Sequence, residues 1–230
     1  MKKFEFTEEI KTISLLFRTA TLHRIRAVEE FGLVKVGDLG GWIEKEENLS
    51  HEGKAWVRGD AMVCDNAMVC DNAEVRNNAM VCDNAEVRDN AVVRGNAEIF
   101  GNAEVFDNAV VRGNAKVYGN VMVRGNAEVC DEAEVFSARH VLVIGAIGSR
   151  DDFTTFYRDK ENEITVKCGC FLGKMDKFLE KVTQTHGISN YALVYRAAVE
   201  VARLQIDLSG EAPKNVRGGK TYVDGTMARE

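Results

Sequence analysis

Proline is almost absent: one residue in 230, which excludes a proline-rich linker. No stretch of eighteen apolar residues occurs, so the sequence predicts no membrane-spanning helix. The opening Met1-Lys-Lys-Phe-Glu-Phe lacks the apolar core of a secretory signal. Positive charge is not in excess either. Thirty Lys and Arg against 36 Asp and Glu leave a formal net charge of −6, which argues against a nucleic-acid polymer as partner. Cysteine is limited to six residues, and four of them (Cys64, Cys70, Cys82, Cys130) share one repeat slot with Arg, Phe and Tyr. That interchange predicts free surface thiols and a reducing, cytoplasmic setting.

What the chain has instead is a period. Fifteen hexads run from Gly53 to Leu142, most of the form [Gly/Asp/Asn]-Asn-Ala-x-Val-x, as in Asp83-Asn-Ala-Glu-Val-Arg88. A six-residue repeat sustained over this length predicts a β-solenoid. The third and fifth residues of each hexad are apolar and two apart, so both point to one side of a short strand. Three strands with Gly/Asp/Asn corners close a triangular coil of 18 residues. Five coils at a rung spacing of roughly 4.8 Å give about 24 Å of solenoid. Asn72, Asn90, Asn108 and Asn126 recur at the coil period and predict a side-chain ladder up one edge, where asparagine would also supply left-handed backbone.

The repeat resembles the left-handed parallel β-helix of the hexapeptide-repeat superfamily, which includes the UDP-N-acetylglucosamine acyltransferases. Those enzymes place glycine directly after the aliphatic residue; here that slot holds Cys, Arg, Phe or Tyr. Beyond the repeat, the Gly-Asp-Leu-Gly-Gly-Trp-Ile entry at 37–43, the 144–156 segment and Cys168-Gly-Cys-Phe171 are similar to hexapeptide-repeat proteins of bacterial genomes and their phages. The resemblance implies homotrimers packed side by side. It also implies, for an acyltransferase, acyl-coenzyme A as co-substrate and a histidine base, here His140.

Folding the hexads in threes assigns the outward residues. The first face carries Arg58, Arg76, Arg94, Arg112 and Cys130, a column of guanidinium groups that repel unless anions intervene. Glu74, Glu128 and the Asp71, Asp89 and Asp107 corners could supply them, or a phosphate or carboxylate ligand could. The second face presents Cys64, Cys82, Phe100, Tyr118 and Phe136, with Met62 and Met80 beside them. So apolar a column needs a cover. A neighbouring subunit is the expectation, with the C-terminal segment as the alternative. The third face (Cys70, Arg88, Phe106, Arg124, Leu142) is mixed.

The expected organisation is an N-terminal β cap (1–52), the solenoid (53–142), a small α+β domain (143–209) and a polar tail (210–230). Ile43 and Leu49, 12 and 6 residues before Ala55, should start the hexad phase, with Trp42 over the open first coil. The C-terminal domain should hold a hairpin of 154–157 with 164–168. A helix striped by Met175, Phe178, Leu179 and Val182 should follow, then a second striped by Val194, Ala197, Ala198, Val201 and Leu204. His140 falls in the degenerate last hexad, so a cap role competes with the catalytic one. Cys168 and Cys170, one residue apart and without a fourth ligand, predict buried thiols and no metal.

Three functions compete on these residues. The first is a non-catalytic oligomeric binding protein for a small anionic, nucleotide-like ligand at subunit junctions; the phage-like resemblance points to a scavenger of signalling nucleotides. Its residues would be Gly145, Gly148, Ser149, Arg150 and Thr154, whose turn offers backbone N–H groups, a hydroxyl and a guanidinium, together with the arginine column. It needs no cofactor. The second is the acyltransferase; the third is a structural scaffold.

Overall fold

The computed structural model describes residues 2–15 and 18–211. A hairpin of β1 (Phe4–Ser14) and β2 (Thr19–Ala27) leads into β3 (Leu39–Ile43). Fourteen two-residue strands follow, β4 (Trp56–Val57) through β17 (Glu134–Val135). They stack into three parallel sheets, one per side of the coil. The register is the coil period: Val57 pairs with Val75, then Val93, Val111 and Val129. Every inward Ala and Val of the repeat from Ala55 to Val129 is buried, and together they form one core. The architecture is therefore a parallel β-solenoid of about five coils. Among the described residues no helix is long and apolar enough to cross a membrane.

Corner chemistry explains the repeat's polar half. The left-handed backbone falls on the first hexad residue, not on the asparagine: Asp65, Asp71, Asn77, Asp83 and Asp89 have φ of 56 to 65°. Where aspartate takes this strained position, its carboxylate accepts the backbone N–H one coil on, as Asp83 does from Gly101 (3.0 Å) and Asp107 from Gly125 (2.9 Å). Asparagine, one place later, forms the ladder. At all three corners side-chain amides donate to their equivalents one coil on, as from Asn72 to Asn90 (3.2 Å), Asn66 to Asn84 (3.1 Å) and Asn78 to Asn96 (3.1 Å).

The entry coil departs from the expected phase. Ile43 pairs with Val63 and Leu49 with Val69, so both occupy the valine slot rather than the alanine slot. Eight residues separate Leu49 from Val57 where the repeat spends six, and the surplus bulges at the 50–54 corner. Trp42 accordingly points outward, paired with Met62. Phe4, Ile25, Ala27 and Val34 close the first coil instead, with Trp56.

The second-face column is covered within one chain. Trp42, Met62, Cys64, Met80, Cys82, Phe100 and Tyr118 are buried in one cluster with Ile13, Ala20 and Leu22 of the β1–β2 hairpin, and Phe136 packs at its edge. Arg18, beyond the hairpin's β1 end, anchors it by a two-pronged pair with Glu44 (both 2.6 Å) and a bond to Asp65 (2.9 Å). The expected subunit contact through Met62, Met80, Phe100 and Tyr118 is thus corrected: the N-terminal hairpin, not a partner or the C-terminal segment, takes that apolar surface out of water. The expectation of free surface thiols is corrected with it. Cys64 and Cys82 are buried and joined in a disulfide, their Cα atoms 4.7 Å apart on successive rungs.

The last hexad leaves the solenoid. Residues Ala138–His140 form a 3-10 turn, and β18 (Val141–Ile147) starts a four-stranded antiparallel sheet with β19 (Asp152–Arg158), β20 (Ile164–Cys168) and β21 (Phe171–Lys174). Helices α1 (Met175–His186) and α2 (Asn190–Gln205) pack on it. Strand alternation decides the layers. Phe156 and Val166 face the helices, whereas Tyr157 enters the solenoid core and closes its last coil. On α2 the buried residues are Ala192, Tyr195, Ala198, Val199 and Ala202. Of the expected stripe, Ala198 alone is inside.

Candidate functional site

The first face and the C-terminal sheet meet in a cleft of about 310 Å³. Asn108, Val110, Asn126 and Glu128 form the solenoid wall; Asp152, Phe153, Thr155, Lys167 and Gly169 form the other. The walls are fastened by the Glu128 N–H, which donates to Thr155 Oγ1 at 3.0 Å. The Glu128 carboxylate lies 3.2 Å from Lys167 Nζ and 3.9 Å from Arg112 Nη2, and Lys167 also donates to the Gly169 carbonyl. Lys167 is only 9% exposed. Gly169 has φ +54°, and a Cβ there would stand 3.1 Å from Arg150 Nη1, which places that guanidinium at the cleft's edge. Arg150 is exposed and has no carboxylate within ion-pair distance among the described residues.

The arginine column is compensated unevenly. Glu74 bridges Arg58 (3.2 Å) and Arg76 (3.3 Å). Arg94 stands on the Val92 rung, between those of Glu74 and Val110, and has no carboxylate within ion-pair distance among the described residues. The end nearest the cleft is therefore the less neutralised one.

The expected turn residues divide. Arg150 reaches the cleft, and Ser149 and Gly145 are exposed beside it. Gly148 is buried against Tyr195, and Thr154 is buried with its hydroxyl on Cys168 Sγ at 3.3 Å. Neither can meet a ligand, and the assignment of Gly148 and Thr154 is corrected. Thr155, one residue on, faces the cleft, because β19 alternates between the helices and the solenoid. Sequence reasoning missed Lys167 and Phe153. A lysine amid Ile164, Thr165, Val166 and Cys168 was the available signal, since a cation in a strand buried on both faces needs a partner.

His140 is 2% exposed. Its Nδ1 accepts the Phe136 N–H at 3.3 Å and its ring stands edge-on to Phe136. Burial, then the Arg158 charge, holds its pKa below the usual histidine value. The native state therefore keeps it neutral while the unfolded chain still takes up the proton. Its contribution to stability is complete above the unfolded value, about 6.5, and is lost as pH falls toward the native value. His140→Asn keeps a nearby acceptor but does not titrate. The melting temperature of the wild type should drop more between pH 7.5 and 5.5 than that of the variant; equal drops would show that His140 does not titrate with unfolding.

Two other clusters are accounted for. Asp159, Glu161 and Glu163 close around Lys174 Nζ at 2.6, 2.7 and 2.6 Å. Against the opposing pull of burial, Lys174, Thr165 and two backbone N–H groups keep Asp159 below the usual carboxylate range. Of the two late cysteines, Cys168 is half-buried and Cys170 exposed, which corrects the expectation of two buried thiols. No protein-family model and no curated protein matches the chain.

Proposed function

We propose that the protein is a non-catalytic binding protein for a small anionic, nucleotide-like molecule seated in the cleft between the first face and the C-terminal sheet. The observation that carries this reading is the Arg150 guanidinium, without a carboxylate partner among the described residues, at the edge of a cleft that already holds Lys167 and adjoins Arg112. Guanidinium groups bind phosphate in two-pronged fashion, and partial enclosure strengthens such contacts. The half-buried ring of Phe153 offers a base a stacking surface. This seat lies within one chain and needs no subunit junction. A scavenger of signalling nucleotides, as in phage-type hexapeptide-repeat proteins, fits a site that offers cations to a phosphate and an aromatic ring to a nucleobase. Membership of that superfamily belongs to this reading and is supported by the 18-residue coil; the homotrimer that the resemblance implies does not, since the N-terminal hairpin covers the face expected to form it. The acyltransferase alternative, with acyl-coenzyme A, would need His140, whose ring is buried.

Thermal-shift titration with ATP, cyclic AMP and pyrophosphate tests the proposal. At least one should raise the melting temperature. Arg150→Ala should weaken that ligand about tenfold or more, roughly one charge-assisted contact, while Arg58→Ala at the distant end leaves it unchanged. No shift with any probe, or a shift indifferent to Arg150→Ala, overturns the assignment. A structural rod is the second reading, favoured by the three asparagine ladders and by caps on both ends; it predicts no ligand response.

A further inference from the structure

Helix α2 carries two apolar stripes, and one of them has no cover among the described residues. The inner stripe of Ala192, Tyr195, Ala198, Val199 and Ala202 seats it on the sheet. The outer holds Val194, Ala197, Val201 and Leu204, with Leu193 alongside. Leu204 is 82% exposed, Leu193 55%, Val201 49% and Val194 40%. The neighbouring helix shows what a solvated face looks like here: the exposed residues of α1 include Asp176, Lys177, Glu180, Lys181 and Gln184. Two helices of one small domain thus present opposite kinds of surface.

We propose that the outer face of α2 is a two-fold seam that pairs with the same helix of a second copy. Positions 194, 197, 201 and 204 are spaced 3, 4 and 3, the a/d pattern of a coiled-coil seam. That spacing reads the same in both directions. An antiparallel partner therefore sets Val194 against Leu204 of the other copy and Ala197 against Val201, and each contact occurs twice, as an isologous interface requires. Ala197, small and central, lets the axes approach. Glu200 flanks the seam but is already paired with Arg203 of its own chain (3.1 Å), so the pairing brings no bare like charges together. Complete cover of the stripe and its rim, roughly 500 Å² per copy, would bury at most about 1,000 Å² in the pair, the low end of specific interfaces. A weak, concentration-dependent dimer is the expected result. It lies apart from the cleft and does not depend on the proposed ligand.

Light scattering coupled to size exclusion, run over a concentration series, tests this on the full chain. The wild type should move from monomer to dimer as concentration rises. Val201→Glu and Leu204→Glu, both at exposed positions, should remain monomeric with unchanged circular dichroism and melting temperature at low concentration. Lys181→Glu on α1 should dimerise like the wild type. A wild type that stays monomeric at high micromolar loading, a dimer that survives both glutamates, or a trimer would each overturn the two-fold seam.

Discussion

Arg158→Ala should destabilise the protein by about 3 kcal/mol, the range for breaking a buried, hydrogen-bonded charge, lowered here because its carboxylate partner is partly solvated. Arg158 is 2% exposed, although it bears a full charge at the seam between solenoid and C-terminal sheet. Its guanidinium reaches four acceptors: Asn162 Oδ1 (2.6 Å), the carbonyls of Glu134 (3.2 Å) and Gly210 (3.4 Å), and the Glu134 carboxylate (3.5 Å). It also stacks on Phe136, its Cζ 4.5 Å from the ring centroid. Truncation empties that volume and leaves carbonyls of two segments unpaired. Urea denaturation measures the loss. Arg158→Lys should recover less than half, because one ammonium cannot reproduce the planar fork. A loss below about 1 kcal/mol would mean that water replaces the guanidinium freely and that Tyr157 alone holds the cap.

The repeat made the solenoid legible because both its signals are local. Alternation within a hexad puts Ala and Val inside, and the corner residues end each strand. Neither depends on a distant partner. The same local logic, carried one step further, would have found the disulfide: Cys64 and Cys82 are 18 residues apart, so the register that stacks Asn66 on Asn84 also stacks the two thiols. Treating the slot as interchangeable hid its vertical neighbours.

What could not be read was which distant segment covers which face. The apolar character of Met62, Met80, Phe100 and Tyr118 was plain, but their cover comes from Ile13, Ala20 and Leu22, about forty to a hundred residues away. No local pattern encodes that docking. Helix α2 failed for a different reason. Its larger aliphatic residues outline the outer stripe, whereas the face that packs uses alanines, which allow close approach to the sheet. At the candidate site, Arg112, Glu128 and Arg150 were all visible as charges. Lys167 was visible as a charge in an apolar strand as well, but its place in the cleft is settled only when β20 turns its odd-numbered residues toward the solenoid.

Gly148→Ala should cost about 3 kcal/mol, far more than the same change at Gly125. Both glycines have positive φ, +77° and +67°, so each alanine incurs about 1 kcal/mol from that conformation alone. At Gly125, a corner position that aspartate fills in other coils, nothing lies within 4 Å of the added carbon. At Gly148 it would fall 1.9 Å from Tyr195 Oη and 2.1 Å from Cζ. Tyr195 has no easy retreat: it is 6% exposed, packs edge-on to Phe178 at 5.5 Å and lies face to face with His186 at 5.8 Å. Relief must come from moving α2 off the sheet, an overpacking strain of about 2 kcal/mol. Amide exchange in α2 should accelerate in Gly148→Ala while the solenoid rungs keep their protection. Equal melting-temperature losses in the two alanine variants would show that the turn yields instead of the helix. The glycine would then serve backbone conformation only. A larger loss at Gly148 would establish that the turn bearing Ser149 and Arg150 is held in place by contact with Tyr195.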